Sequence, residues 1–450
     1  MGTTDSHLQA KNVHLISLGC ARNRVDSEVM LGSLGLDGWN IVDEPEESDA
    51  VVINTCGFID VAKEESVQTI LDVAELKQAN DGMKLVVAGC LTQRYKNQLV
   101  KGFPEVDLFV GTDEFHQISD FLRADLPKGS LKAKRTDYLY NSQLPKTNTL
   151  TSGSAYVKVA EGCQHQCSFC IIPAIRGPLR SRPIQDVVRE VEELAAQGVK
   201  EVNLIAQDLA AYGRDSGEMN LLDLLKRLVL VNDIEWIRLL YVYPENISDE
   251  FLEFWANQPK IAPYIDIPVQ HGSTRVLKDM KRDICRDGLI EVIKKVRQKV
   301  PSVAIRTSVM VGFPGETEED FEALKKLVEE VQFDHLGCFE YSQEEGTVAG
   351  RMSDQIPEEV KAARCEEIMD LQKAISNEKL RSYVGKTVPV LVKGLSEESD
   401  LLFEGRTPWQ APEVDGIVYI NDGEAIPGTI QKLRITESHD YDLVGSIVRE

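Results

Sequence analysis

Residues 155–170 read AYVKVAEGCQHQCSFC. AYVKVA is a short apolar strand candidate, and Cys163, Cys167 and Cys170 follow it at once as Cys-x3-Cys-x2-Cys. That spacing lets one loop turn three thiolates toward one metal centre. Five further strand candidates lie downstream: EVNLIA (201–206), WIRLLY (236–241), PYIDI (263–267), VAIRTSVMV (303–311) and HLGCFEY (335–341). Helical stretches separate them, the clearest over 317–332. There Thr317 and Asp320 form a box-like N-cap, and Phe321, Leu324, Leu327, Val328 and Val331 fall on one face. Six βα units predict a barrel or partial barrel. With a charged connecting helix over 356–382, this domain runs over residues 151–382. In such barrels chemistry sits at the C-terminal ends of the strands, where the cysteine loop begins.

Upstream, residues 12–125 also alternate strands with helices. VHLISL precedes Cys20, AVVINT precedes Cys56, LVVAG precedes Cys90, and a helix is expected over 60–77. This alternation predicts an open parallel sheet flanked by helices. Residues 126–150 are polar and aperiodic, which predicts a linker with room for one short strand. Residues 383–450 differ: TVPVLV, IVYI and TIQKLRIT are β-like and are separated by Gly, Pro and Asp turns. They predict a small all-β barrel. The fold class is therefore α/β: an N-terminal open parallel-sheet domain, a central (β/α)6 partial TIM-like barrel and a C-terminal small β-barrel.

The 450 residues carry a formal charge of −23. So acidic a chain is a poor general binder of nucleic acid or of anionic membrane, and suits a basic partner better. The simpler reading is that the acidity only aids solubility. No apolar run approaches the roughly 20 residues of a membrane-spanning helix. The N-terminus lacks the pattern of a signal peptide. Its Met-Gly start with Ser6 matches a myristoylation motif only in part. A cytoplasmic protein without membrane attachment is expected. In that reducing compartment nine cysteines are metal ligands, catalytic groups or buried thiols sooner than disulfides.

Three ligands rather than four is the informative feature of the Cys163 loop. A site with four cysteines is coordinatively closed. Three thiolates on a four-iron cube leave one iron open, and S-adenosylmethionine (SAM) can chelate it and be cleaved there to a radical. The alternative is a zinc site with His165 or a distant cysteine as fourth ligand. A second constellation, Cys20, Cys56 and Cys90, closes three strands of the first domain. Ligands of open parallel sheets gather beyond those strand ends, so these thiols can converge. They can equally be buried structural cysteines, because Cys packs as a small hydrophobe.

CxxxCxxC after a first barrel strand, with Phe169 before the last cysteine, resembles the radical SAM enzymes. GCQHQCSFCIIPAIRGPLRSRP (162–183), the stretch from Gln207 to Gly213, DIPVQHGSTRVLKDMKR (266–282), and IRTSVMVGFPGET (305–317) with EYSQEEGT (340–347) resemble the methylthiotransferase branch, and the likeness covers nearly the whole chain. SLGCARNRVDSE, NTCGF and VAGC are similar to the motifs that carry that branch's auxiliary cluster. The resemblance implies two 4Fe–4S clusters, on Cys163, Cys167 and Cys170 and on Cys20, Cys56 and Cys90, with SAM as cofactor. It also implies that the auxiliary cluster keeps a site for sulfur, and that the C-terminal barrel is TRAM-like. Ala21-Arg22 departs from the Pro-Lys that often follows the first auxiliary cysteine, which puts the local loop shape in doubt.

Further cofactor contacts are expected from the strand ends: Phe169, Gln207, Gln270, Arg306, and Gly312 to Glu316 within GFPGET (312–317), where glycines meet a helix N-terminus. GFPGET is otherwise an ordinary βα turn. Arg176, Arg180 and Arg182 form a basic patch that holds an acidic substrate group or merely balances the acidic surface. Cys285, Cys338 and Cys365 lack partners at useful spacing and are read as structural, and His165 as a bystander.

Two branches of the family differ in substrate, one modifying an adenosine of transfer RNA, the other an aspartate β-carbon of small-subunit ribosomal protein S-twelve. NTCGFIDVAKEES (54–66), CIIPAIRG (170–177), GRTPWQAPEVDGIVYI (405–420) and DYDLVGS (440–446) resemble the second. Charge agrees: residues 383–450 carry twelve Asp and Glu against six Lys and Arg, a net of −6, which repels RNA and attracts a basic ribosomal protein. The expected partners are that protein and an electron donor of flavodoxin or ferredoxin type, with no direct nucleic-acid binding. A non-catalytic cluster or zinc scaffold that binds protein through the acidic barrel is the weaker alternative.

Overall fold

The computed structural model describes residues 11–80, 82–150 and 152–449. The partial myristoylation motif with Ser6 lies outside the described residues. The chain divides into two compact units, one reaching to Thr149 and including Ile171–Pro178, the other comprising Leu150–Cys170 and everything from Leu179 onward.

The first unit is built on a six-stranded sheet of β1 (Asn12–Ser17), β2 (Asn40–Ile41), β3 (Ala50–Thr55), β4 (Lys84–Gly89), β5 (Leu108–Val110) and β6 (Ser130–Lys132), in the order β2-β1-β3-β4-β5-β6. All neighbours run parallel, in register from Val13↔Ala50 through Ala50↔Lys84 to Val86↔Leu108. The two-residue period sends Ala50, Val52, Val86 and Ala88 to one face, under Val29, Met30 and Leu34 of the helix Ala21–Leu36. It sends Val51, Ile53, Leu85 and Val87 to the other, under Ile70, Val73 and Ala74 of the helix Asp60–Ala79. Every residue of β3 is buried, as a parallel strand covered on both faces must be.

Residues 126–150, read from the sequence as a linker, are tied to this unit at several points. β6 pairs with β5, Tyr140 is buried in the apolar layer with Tyr138 and Leu144 against it, and Thr149 donates to Glu28 Oε1 from its amide (2.9 Å) and its hydroxyl (3.0 Å). Isolated aromatic anchors on an extended chain leave no periodic trace, so composition alone suggested a tether.

The second unit carries β7 (Ser154–Lys158), the short pair β8 (Ala160–Glu161) and β9 (Arg180–Ser181), β10 (Glu201–Ile205), β11 (Trp236–Leu239), β12 (Ile261–Asp266), β13 (Ala304–Val311) and β14 (His335–Glu340). Six of them form a parallel sheet in the order β14-β13-β12-β11-β10-β7, the sequential order of a partial barrel. The helix Glu318–Val331 starts from Thr317 with a complete capping box to Asp320 and buries Phe321, Leu324, Leu327, Val328 and Val331, as its pattern predicted. The charged helix Glu358–Arg381 follows.

The last five strands, β15 (Thr387–Leu395), β16 (Phe403–Arg406), β17 (Val418–Asp422), β18 (Ile430–Ser438) and β19 (Leu443–Ile447), close into a barrel in the order β15-β16-β17-β19-β18. Its core is Val388, Val390, Val392, Val418, Ile420, Leu433, Ile435 and Leu443, and closure leaves no open sheet edge.

This barrel is fastened to the parallel sheet by buried charge. Glu201, first residue of β10, receives Arg238 Nη2 at 2.7 Å, Arg406 Nη2 at 2.5 Å and Ser154 Oγ at 2.7 Å. Burial alone would raise this carboxyl, yet Arg406 and Arg238 outweigh it and hold it at about 2. Replacing Glu201 by Gln would leave two buried guanidiniums without their carboxylate, and is expected to cost about 3–5 kcal/mol. The native contribution is complete above the unfolded carboxyl value of about 4.3 and is lost as the pH falls toward about 2. Thermal melts of both proteins across that range should show the gap between them closing as acid is added.

Candidate functional site

The loop that follows β8 carries Cys163, Cys167 and Cys170, all half-buried. Its middle is pinned from three sides. The Ser168 amide donates to Met280 O (3.0 Å), its hydroxyl to Asp279 O (2.7 Å), and its carbonyl accepts from Ala349 N (2.8 Å). Phe169 drops into an apolar pocket of Val276, Met280, Phe313, Tyr341 and Ala349, so the aromatic before the last cysteine anchors the loop from below. Cys170 N bonds Cys167 O at 3.1 Å, which makes the turn that brings the last two thiols round. The Tyr243 hydroxyl stands 3.6 Å from Cys167 Sγ.

The second trio lies at the carboxyl ends of three neighbouring strands of the other unit. Cys20 follows β1, Cys56 follows β3 and Cys90 follows β4. Two glycines make the approach possible. A Cβ on Gly19, whose φ is +86°, would lie 2.8 Å from Cys56 Cβ, and one on Gly57 would lie 2.8 Å from Leu91 Cα and 2.9 Å from the Cys90 carbonyl carbon. The thiols are close enough to act on one another. Burial pushes Cys56 up to about 12, and the Cys90 and Cys20 sulfurs push the same way. At Cys20 burial is outweighed by Arg22, Arg176 and two backbone amides, which hold the thiol below its usual range. At Cys90 burial prevails over Arg176 and raises the thiol.

Three sulfurs on closely packed strand ends, and three on one short loop, are donor sets that fit iron–sulfur clusters. Among the described residues no three His, Cys, Asp or Glu side chains are drawn together for a single metal ion. A cube places each thiolate on a different iron, which asks for wider spacing than the ligands of one ion.

Residues 12–111 match the uncharacterized protein family UPF0004, residues 157–328 the radical SAM superfamily and residues 384–448 the TRAM domain. The ribosomal protein uS12 methylthiotransferase RimO of Myxococcus xanthus is 48% identical over 439 residues, 97% of this chain and 92% of that protein. The RimO of Bdellovibrio bacteriovorus is 47% identical over 450 residues, 98% of each chain. The chain belongs to the RimO family. The fold also matches a solved radical SAM methyltransferase, TsrM from Kitasatospora setae, with a TM-score of 0.53 over 73% of each chain at 14% identity. As a radical SAM protein, this RimO family member takes a 4Fe–4S cluster and SAM as cofactors.

The other expected contact residues of this RimO family member fall into two groups. Gln207, Gln270 and Gly312 lie just beyond the carboxyl ends of β10, β12 and β13, around the mouth into which the cysteine loop opens. Gln207 donates to Glu161 Oε1 at 2.7 Å and leaves its own Oε1 buried without a partner. Gln270 holds a positive φ of 69° while bridging to Val309. Arg306 and Glu316 are differently employed. Arg306 is the third residue of β13, not a strand-end residue, and binds Asp266 (3.2 Å) and Asp415 (3.3 Å). Glu316 is turned inward to Arg364 (2.7 Å) and to the Phe313 amide (3.1 Å), so it braces the GFPGET turn.

The basic patch also resolves differently. Arg182 is buried on Glu190 (2.6 Å) and Asp186 (2.7 Å), and Arg176 on Asp26 (2.6 Å), so neither is free to hold a substrate group. Three arginines within seven residues read as a surface patch because the acidic partners of Arg176 and Arg182 are remote in sequence or lie further along the following helix. His165 bonds Asp208 at 2.7 Å and stacks on Tyr243 at 3.8 Å, whose other neighbour is the Arg282 guanidinium at 3.6 Å from the ring centroid. Sequence reading missed Tyr243, Asp208 and Arg282. The signals for them were position, since Asp208 and Tyr243 each follow a strand within four residues, and the motif 266–282, which Arg282 ends. Cys285 is exposed, while Cys365 Sγ lies 3.5 Å from Cys338 O between helix and strand.

Proposed function

We propose that this chain adds a methylthio group to the β-carbon of an aspartate of ribosomal protein uS12, using SAM and two 4Fe–4S clusters. The observation that carries the reading is the second cysteine trio. Cleaving SAM needs one three-cysteine site, and a further set at three adjacent strand ends is what sulfur delivery requires. Cys163, Cys167 and Cys170 hold the first cluster, and Cys20, Cys56 and Cys90 the second. When bound, the first cluster and SAM supply a hydrogen-abstracting radical and the second supplies the sulfur to be transferred.

The chain's own residues prepare these sites. Ser168 and Phe169 fix the loop so that the three thiols are presented without searching. Tyr243 offers its hydroxyl to Cys167, and Arg282 and His165 clamp its ring on both faces. Gln207, Gln270 and the Gly312 backbone face SAM, with the partnerless Gln207 oxygen as an acceptor for its amino group. Arg306 and Glu316 support this mouth through Asp266 and Arg364. Residues 12–125 form the sulfur-delivery domain, 126–150 its connection, 151–382 the radical domain apart from residues 171–178, which return to the first unit, and 383–450 the TRAM-like barrel.

Charge supports a protein substrate over RNA. On the small barrel Glu397, Glu398, Asp400, Glu413, Asp422, Glu424 and Glu437 are exposed against the exposed bases Lys386, Lys432, Arg434 and Arg449, and Arg406 is buried against Glu201. Phosphate binding needs the opposite balance. Electrons come from a donor of flavodoxin or ferredoxin type. No helix among the described residues is long and apolar enough to cross a membrane. Mass spectrometry of uS12 from a strain lacking this protein should show loss of the methylthio mass, restored by the intact chain. If that mass persists on uS12 and disappears from transfer RNA instead, the adenosine branch is the correct one.

A further inference from the structure

Arg176 follows Cys170 by six positions in sequence yet belongs to the first unit. The helix Ile172–Arg176 lays Ile171 and Ile175 on Cys90 and Phe58, and delivers a guanidinium that is 2% exposed. Its Nη1 binds Asp26 at 2.6 Å, and its Nη2 is shared between Asn23 Oδ1 at 3.3 Å and Cys90 Sγ at 3.2 Å. Asn23 is itself locked by donating to Leu18 O (2.7 Å) and Asn54 O (3.2 Å), which turns its oxygen toward Arg176.

A buried guanidinium is costly unless paired, and Asp26, also buried, neutralises it. Stability alone is satisfied by that pair. Contact with a cysteine sulfur is a separate feature, and a donor to a cluster sulfur is a recognised lever on reduction potential. An N–H pointed at a thiolate, with a positive charge behind it, favours the more negative, reduced state.

We propose that Arg176 is a positioning residue that sets the reduction potential of the cluster held by Cys20, Cys56 and Cys90, through its hydrogen bond to Cys90 and its charge. The inference rests on the auxiliary-cluster reading of those three cysteines. The chemistry is electrostatic, and no bond of Arg176 is made or broken.

The test uses full-length protein in which Cys163, Cys167 and Cys170 are alanine, so that only the N-terminal trio can load. After anaerobic reconstitution with iron and sulfide, the cluster is titrated by EPR-monitored reduction. Arg176→Gln should shift the potential downward, because a positive charge and the donor fork are lost. Asp26→Asn should shift it upward, because a negative charge is lost and the guanidinium stays. A purely structural role predicts the same direction for both, since each breaks the same ion pair. Arg176→Lys, which keeps the charge without the fork, should give a smaller downward shift and serves should Arg176→Gln fail to fold. Equal shifts, or an unchanged potential in Arg176→Lys and Asp26→Asn, would overturn the proposal. Failure of the parent protein to load iron would instead remove the auxiliary-cluster reading itself.

Discussion

With Cys163, Cys167 and Cys170 replaced by alanine, anaerobically reconstituted protein should release no 5′-deoxyadenosine above a protein-free control. The three sulfurs are the donors that the loop presents, and no fourth cysteine lies within the loop to substitute for one of them. Structural collapse is a poor explanation for the loss, because Ser168 and Phe169 hold the loop through contacts that the replacements leave in place. Melting temperature should therefore move little while cleavage vanishes. Chromatographic quantitation of the nucleoside, with a thermal melt on the same sample, checks both halves. Cleavage that survives the triple replacement would sink the radical assignment.

The matching replacement of Cys20, Cys56 and Cys90 should separate two activities. Bound iron is expected to fall by about half, as two clusters of equal size require. SAM cleavage should continue, whereas methylthio transfer to uS12 should stop, because the radical would be made with no sulfur to collect. The two outcomes are read from one reaction by counting iron, nucleoside and modified peptide. Unchanged iron would mean that these cysteines are only packed thiols, a role for which buried Cys90 is otherwise well suited.

Much of this was legible in the sequence, for a physical reason. Strand and helix patterns report which face of a segment is covered, so AVVINT and the 317–332 helix could be placed from their own residues. Cysteines that end such strands are placed by the same logic. What the pattern does not report is which remote group covers that face. Asp26 and Arg176 are 150 positions apart, and nothing local to either names the other. Arg306 illustrates the same limit. Its strand was found, but its partner Asp415 comes from the small barrel, and a strand pattern carries no information on that. Tyr138 and Tyr140 show a different failure, since anchors on an aperiodic chain look like any polar tether.

The return of residues 171–178 to the first unit bears on how the protein is made. Synthesis runs from the N-terminus, and early modules ordinarily fold as they leave the ribosome. Here the opening module lacks one helix until residue 178 emerges, by which time the Cys163 loop has been synthesised as well. Until then Asp26 awaits its counter-ion and Cys90 its apolar cover. The order of translation thus delays completion of the first sulfur-rich pocket until the Cys163 loop has been synthesised, while the partners that hold that loop, Met280 and Ala349 among them, are made later still.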